Sequence, residues 1–429
     1  LAPADGAAWA GLLGRSRLEL RPGESEARAL WDGRDVSDLV RTPAVEAAVS
    51  AVSAHAEVRA LMVARQRELG RAGGVVMEGR DIGSVVFPLA TAKLYLDATP
   101  AARAARRVRQ FRERGQSVDP AAVEAELAAR DRCDSERPVS PLTIALDAAV
   151  LDTSAWSLGE QIDRAEAAVR AIVADSAPRP PAPDSAVGRI GRRYRFAYRL
   201  LAAFGRFHGL RVLGREHLDL PGGVLIAANH ISWWDPPILA ATVWRGRAHV
   251  IAKEELFRPG PLAALLRAYG TIPIRRSGYG VGAFGAALAA LARGEDVALF
   301  PEGTRRPVGR PGPLKSALGI LIQKSEAPTV PVFLRGTRAV QPGGSARAPL
   351  EVRYGPAVRP RALPALRARH DDREITRRIG LQFLAVFEEL QARSWAERPL
   401  TDWEREDGER MASRVAARDA RVFRRRPPE

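Results

Sequence analysis

The chain has one cysteine, Cys133, in 429 residues. That excludes an internal disulfide and a cysteine-rich zinc site, and it fits a reducing compartment. Lysine is nearly as scarce: Lys93, Lys253, Lys315 and Lys324 are the only four, and none follows a glycine. A phosphate loop of the form G-x-x-x-x-G-K-[ST] is therefore missing. Aromatic residues make up 6%, too few for a base-stacking platform, so nucleic acid is not an expected partner. No apolar run reaches about 18 residues, so no membrane-spanning helix is expected, and no signal peptide is read. The chain opens at Leu1 inside a helical pattern and reads as cut at its N-terminus.

What is present is globular: 46% hydrophobic and 27% charged, with length enough for two or three domains. The net charge of +16 and the sequence pI near 10.9 suit anionic partners such as phosphorylated substrates or anionic lipid. A compositional bias toward Arg, Ala, Gly and Pro explains part of that charge.

Residues 1–173 alternate helical patterns with short apolar runs at 18–20, 29–31, 74–77, 93–97 and 149–152, which predicts a parallel α/β sheet. Residues 174–188 are proline-rich and aperiodic, a linker. Residues 189–213 form a basic amphipathic pattern with Phe196, Phe204 and Phe207 on one side. Such a helix can lie on an anionic bilayer or pack on its own domain, and both readings stand. From Ser394 the chain is charged and poor in apolar residues, a tail expected to be mobile.

The second half turns on Asn229-His230-Ile231-Ser232-Trp233-Trp234-Asp235. The run Val224–Ala228 predicts a buried strand, and Pro236-Pro237 predict the first turn of a helix. An imidazole at a strand lip with a carboxylate near a helix start is the geometry of an oriented general base. Gly270–Arg276 and Asp296–Arg305 follow as strands closing in arginines. A G-x-G-x-x-G run at Gly280–Gly285 mimics a dinucleotide fingerprint, but Arg275–Gly278 separate it from its strand.

Two resemblances are carried by ordered blocks. DGRDVSDLVRTPAV, EGRDIGSVVFP, KLYLDAT, RDRCDSERPVSPL and VLDTS make residues 30–173 resemble the cytidylate kinases of the nucleoside monophosphate kinase family. The resemblance implies that Ser50, Arg59, Arg80 and Asp81 hold CMP or dCMP. It adds Arg130, Asp134 and Arg137 in that site or its lid, and Arg103 and Arg107 near the ATP phosphates. ATP and Mg2+ would serve an intact kinase domain. The family's phosphate loop is the part missing here, so the chain as given is not expected to phosphorylate CMP.

NHISWWD, GTIPIRR, FPEGTR and VPVFLRGT make residues 211–384 resemble the lysophosphatidate acyltransferases. That resemblance implies His230 as general base and Asp235 as its orienter. Glu302, Gly303, Thr304 and Arg305 would shape the acceptor site, with Arg276 on the acceptor phosphate. Arg306 stands where the family has Ser or Asn. No metal or bound cofactor is implied; acyl-CoA or acyl-carrier protein is the donor and lysophosphatidate the acceptor.

The expected architecture is α/β throughout. A truncated P-loop kinase domain spans 1–173, a linker 174–188, a glycerophospholipid acyltransferase domain 189–393 and a tail 394–429. The expected protein is bifunctional, cytoplasmic, and peripheral on the inner face of the plasma membrane. Two alternatives stay open: (d)CMP kinase as the main activity of an intact product with the acyltransferase accessory, or a kinase remnant that only binds nucleotide or docks the chain.

Overall fold

The computed structural model describes residues 2–21, 27–113, 115–135, 143–176, 199, 202–243, 248–258, 260, 263, 266–267, 270–274, 281–307, 311–341, 344 and 348–423. They fall into two compact units, residues 1–87 with 99–143, and residues 88–98 with 144–429.

The first unit begins with α1 (Gly6–Arg15), whose first turn is capped where Ala8 N donates to Asp5 Oδ1 at 3.0 Å. Strands β1 (Leu18–Arg21), β2 (Arg28–Trp31) and β3 (Arg34–Asp35) form an antiparallel sheet. Trp31 pairs with Arg34, so Asp32-Gly33 is a two-residue hairpin loop. Both have positive φ, 49° and 82°, the combination that matches strand twist and that Asp-Gly tolerates. Among its described residues the unit also holds helices α2 (Pro43–Ser53), α3 (Ala56–Leu69), α4 (Pro100–Glu113) and α5 (Pro120–Ser135). The expected strand at 74–77 does not form: these residues join no ladder among the described residues, and Val76 is fully exposed.

The second unit contains the parallel pair β4 (Leu94–Asp97) and β5 (Ala149–Asp152), followed by α6 (Leu158–Ser176). Its main sheet has seven strands. In chain order they are β6 (Arg211–Leu213), β7 (Leu225–Ala228), β8 (Ala248–Lys253), β9 (Ile272–Ile274), β10 (Asp296–Leu299), β11 (Thr329–Arg335) and β12 (Glu351–Tyr354). The spatial order is β6-β12-β11-β7-β10-β8-β9, with the β11–β12 pair antiparallel and the others parallel. The central strand β7 is buried at all four residues. Leu225 and Ala227 face one apolar cluster with Val297 and Leu299, and Ile226 and Ala228 face the other with Ala298. A strand covered on both faces must be apolar without alternation, which is why four consecutive apolar residues suffice to mark it.

Among the described residues the further helices of this unit include α7 (Asp235–Thr242), α8 (Val281–Ala292), α9 (Ala317–Ser325), α10 (Leu363–Arg367), α11 (Asp372–Glu397) and α12 (Asp402–Phe423). The glycines Gly282 and Gly285 of the fingerprint-like run lie inside α8, not in a strand-to-helix turn. The charged stretch from Ser394 is helical through Glu397 and again through α12, where Glu404 and Asp407 are buried against partners described below. Among the described residues no helix is long and apolar enough to cross a membrane.

Candidate active site

Three neighbouring strands, β7, β10 and β11, run parallel and deliver their C-terminal ends to one place, where open α/β sheets gather functional loops. Asn229 follows β7 and locks its end to β11: its Nδ2 donates to Leu334 O at 3.1 Å and its Oδ1 accepts from Leu334 N at 2.6 Å. His230 is the next residue, with its side chain 19% exposed. The chain then turns into α7, which Asp235 opens at the first turn with Pro236 and Pro237 behind it.

Asp235 is wholly buried, yet both of its oxygens are satisfied. Oδ2 accepts from Ile231 N and Ser232 N, each at 2.6 Å, and lies 2.7 Å from His230 Nδ1. Oδ1 accepts from the Thr337 hydroxyl. Two backbone donors already on Oδ2 mark it as a carboxylate oxygen, so His230 Nδ1 must carry the proton in that contact. The lone pair of the neutral ring is then on Nε2, which has no hydrogen-bond partner among the described residues. The Phe300 ring at the end of β10 packs on the imidazole with centroids 4.7 Å apart.

After β10 the FPEGTR block wraps under the histidine. Arg306 N donates to His230 O at 2.7 Å, and Lys315 N donates to Pro301 O at 2.8 Å. Gly303 has φ +62°, a left-handed conformation that favours glycine, and the flexible end of the Lys315 side chain packs where a Cβ would stand. Thr304 and Arg305 are half-buried, and the Arg305 guanidinium lies 4.5 Å from the centroid of the exposed Trp233 ring. The Arg306 side chain folds back over Gly312, where a Cβ would meet its Nε at 2.2 Å.

Glu302 is 2% exposed. Burial pushes its carboxyl up to about 8, against the pull of the His230 and Gly312 backbone N–H groups and the Arg306 charge. Its Oε2 has no hydrogen-bond partner among the described residues, and Glu302 lines a cavity of about 20 Å³ with Asn229, Ile231, Arg306 and Arg335. A carboxyl raised on folding binds its proton more tightly in the folded state. Its stabilisation is complete below about pH 4.5 and is lost as pH rises to about 8. We therefore expect the unfolding free energy to fall by a few kcal/mol across that window, an order-of-magnitude figure, and Glu302→Gln to flatten the fall. Denaturant titrations of both proteins at pH 5 and pH 8 check this.

In the first unit, Arg59 pairs with Asp81. Asp131 stands 2.6 Å from Arg103 and 3.9 Å from Arg80, joining two arginines that sequence reasoning assigned separately. Arg107 lies over the Phe111 ring at 4.8 Å. Ser50 is on α2, and Arg130 and Asp134 are on α5, but their side chains fall outside the described residues, as do Arg137 and Arg276 entirely. The given sequence holds no glycine–lysine loop of the kind that cradles the β- and γ-phosphates of ATP.

Comparison with known proteins divides the chain in the same order as its motifs. The cytidylate kinase family model matches residues 1–171. A cytidylate kinase of Geobacillus kaustophilus is 45% identical over 153 residues, which is 36% of this chain and 68% of that protein. The chain belongs to the cytidylate kinase family. A cytidylate kinase of Enterococcus faecalis is 44% identical over 145 residues, covering 34% of this chain and 64% of that protein. A bifunctional pantoate ligase/cytidylate kinase of a Synechococcus is 49% identical over 144 residues, 33% of this chain. The chain spans only 29% of that relative's length. The acyltransferase family model matches residues 209–335, so the kinase-family part is fused to an acyltransferase domain. Among solved structures, the 1-acyl-sn-glycerophosphate acyltransferase PlsC of Thermotoga maritima is similar at 23% identity and a TM-score of 0.37, over 47% of this chain and 81% of that one.

Sequence reasoning missed Asp131, Phe300, Trp233, Thr337 and the carboxylates of α12. Thr337 sits inside the VPVFLRGT block, but nothing in the block says that its hydroxyl reaches a residue 102 positions earlier.

Proposed function

We propose that residues 189–393 transfer an acyl group from acyl-CoA or acyl-carrier protein to the free hydroxyl of a lysophosphatidate. The observation that carries this reading is the His230–Asp235 contact, with Nδ1 tied to a fully satisfied carboxylate. His230 Nε2 takes the proton of the acceptor hydroxyl as its oxygen attacks the thioester carbonyl. The tetrahedral intermediate then collapses, and the same Nε2–H protonates the departing thiolate. Asp235 keeps Nδ1 protonated and stabilises the imidazolium formed midway. Arg305, half-buried beside Trp233, offers a guanidinium to the acceptor phosphate, and Arg276 is proposed as a second.

The test compares lysophosphatidate with the monoacylglycerol that lacks its phosphate, measured with the purified chain. The expected outcome is a kcat/KM about 10²-fold higher for the phosphorylated acceptor, because the half-buried Arg305 guanidinium loses its anionic partner when the phosphate is absent. Equal rates would remove the phosphate-binding role.

For the kinase-family part we propose that the chain as given does not turn over CMP with ATP, since its sequence has no G-x-x-x-x-G-K-[ST] loop to hold the β- and γ-phosphates. A coupled assay with CMP or dCMP is expected to stay at its blank; steady ADP production would overturn the reading. The protein is proposed to sit peripherally on an anionic membrane surface, where its acceptor resides. The exposed Phe207 beside the exposed Arg206 supports this, being an apolar and basic pair of the kind that enters an interface.

A further inference from the structure

The segment that closes over Asp235 is itself gripped by the last helix. Arg335, at the end of β11, is fully buried. Its Nε and Nη2 donate to the two oxygens of Glu404 at 2.7 and 2.8 Å. Its other N–H groups donate to Arg398 O at 2.5 Å and Pro399 O at 3.1 Å. Three residues on, Arg338 makes a second two-point contact, to both oxygens of Asp407, with Nη2 to Oδ1 at 2.9 Å. Glu404 and Asp407 are three apart in α12 and so share a face.

Between the two arginines, Gly336 turns the chain at φ +73°, where a Cβ would lie 1.9 Å from Pro349 O. Thr337 is therefore held on both sides. Its hydroxyl donates to Asp235 Oδ1, and its carbonyl accepts from Ser232 Oγ at 2.9 Å.

We propose that Glu404 and Asp407 are positioning residues for the acid–base pair. They clamp Arg335 and Arg338 so that Thr337 fixes the Asp235 carboxylate, and through it the His230 ring. This rests on the general-base reading of His230. Stability alone explains the arrangement poorly, because a buried ion pair is often no more stable than apolar residues of the same volume. A guanidinium fork meeting a carboxylate at two points is directional, and here two such forks flank the one residue between them that touches Asp235.

The test uses the full chain and its acyl transfer to lysophosphatidate. Glu404→Gln, Asp407→Asn and Thr337→Val are each expected to lower kcat about tenfold and to leave both KM values within about twofold, since misplacing a catalytic group costs rate rather than binding. The Glu404→Gln/Thr337→Val double variant is expected to be no slower than the slower single variant, because both changes act on one contact. Melting curves keep the assays below each transition. If Glu404→Gln unfolds too early, Asp407→Asn with Thr337→Val carries the same comparison. Wild-type kcat in the folded carboxylate variants, or losses that multiply in the double variant, would overturn the proposal. An inactive wild-type chain, or full activity in His230→Ala, would remove the general-base reading and this inference with it.

Discussion

His230→Ala is expected to lower kcat/KM for acyl transfer by about 10²–10⁴-fold, the usual contribution of a positioned general base to attack by a neutral alcohol. The loss should appear in kcat, because the imidazole acts in the transition state rather than in holding the acceptor. The variant should fold. Asp235 keeps its donors from Ile231, Ser232 and Thr337, and the lost ring was partly exposed against Phe300. Circular dichroism beside the assay separates the chemical effect from an unfolded sample. Substantial activity in a folded His230→Ala would mean that another group takes the proton.

The second large effect distinguishes charge from geometry at Asp235. In Asp235→Asn the amide oxygen can occupy the Oδ2 position and accept from Ile231 N, Ser232 N and His230 Nδ1. The amide nitrogen can then donate to Thr337 Oγ1, because a hydroxyl accepts as readily as it donates. The ring orientation and tautomer survive, and only the negative charge facing the imidazolium is lost. We expect Asp235→Asn to melt close to wild type while losing about 10²–10³-fold in kcat. Asp235→Ala strands two buried backbone N–H groups, each costing about 1–3 kcal/mol, and should lose stability as well as rate. Kinetics and thermal melts on both variants check the pair. Wild-type rates in the asparagine protein would show that the charge is not used.

Several parts of this molecule could be read before any coordinates. The buried strand β7 announces itself as a four-residue apolar run, and β10 as Val297, Ala298 and Leu299 behind Asp296, because the sheet is covered on both faces. His230 and Asp235 are local to one strand–helix turn, so their spacing carries their geometry. Asn229 and Thr337 were not readable in the same way. Their roles depend on β7 and β11 being neighbours, a fact of strand order that no local pattern encodes. The α12 carboxylates were hidden for a different reason. Acidic and basic residues at high density predict a solvated stretch, and composition cannot say that Glu404 and Asp407 meet Arg335 and Arg338 in the interior. The run at 74–77 shows the opposite error: apolar and β-branched residues suggest a strand, but a strand needs a partner, and among the described residues none is beside it.

The histidine also depends on residues outside its own motif for its environment. The Glu302 carboxyl, which accepts from the His230 backbone N–H, is held largely neutral at pH 7 by burial and so adds little negative charge to a site proposed to receive a phosphate. Arg305 is half-buried with its guanidinium over the exposed Trp233 ring, where a lipid headgroup is proposed to arrive.

The central claim is tested most directly by incubating the purified chain with acyl-CoA and lysophosphatidate, then with acyl-carrier protein as donor, and weighing the lipid product by mass spectrometry. The account predicts a phosphatidate heavier than the acceptor by one acyl group with at least one donor, formed at least about 10²-fold more slowly by His230→Ala. No acylated product from the folded wild-type chain with either donor would contradict it.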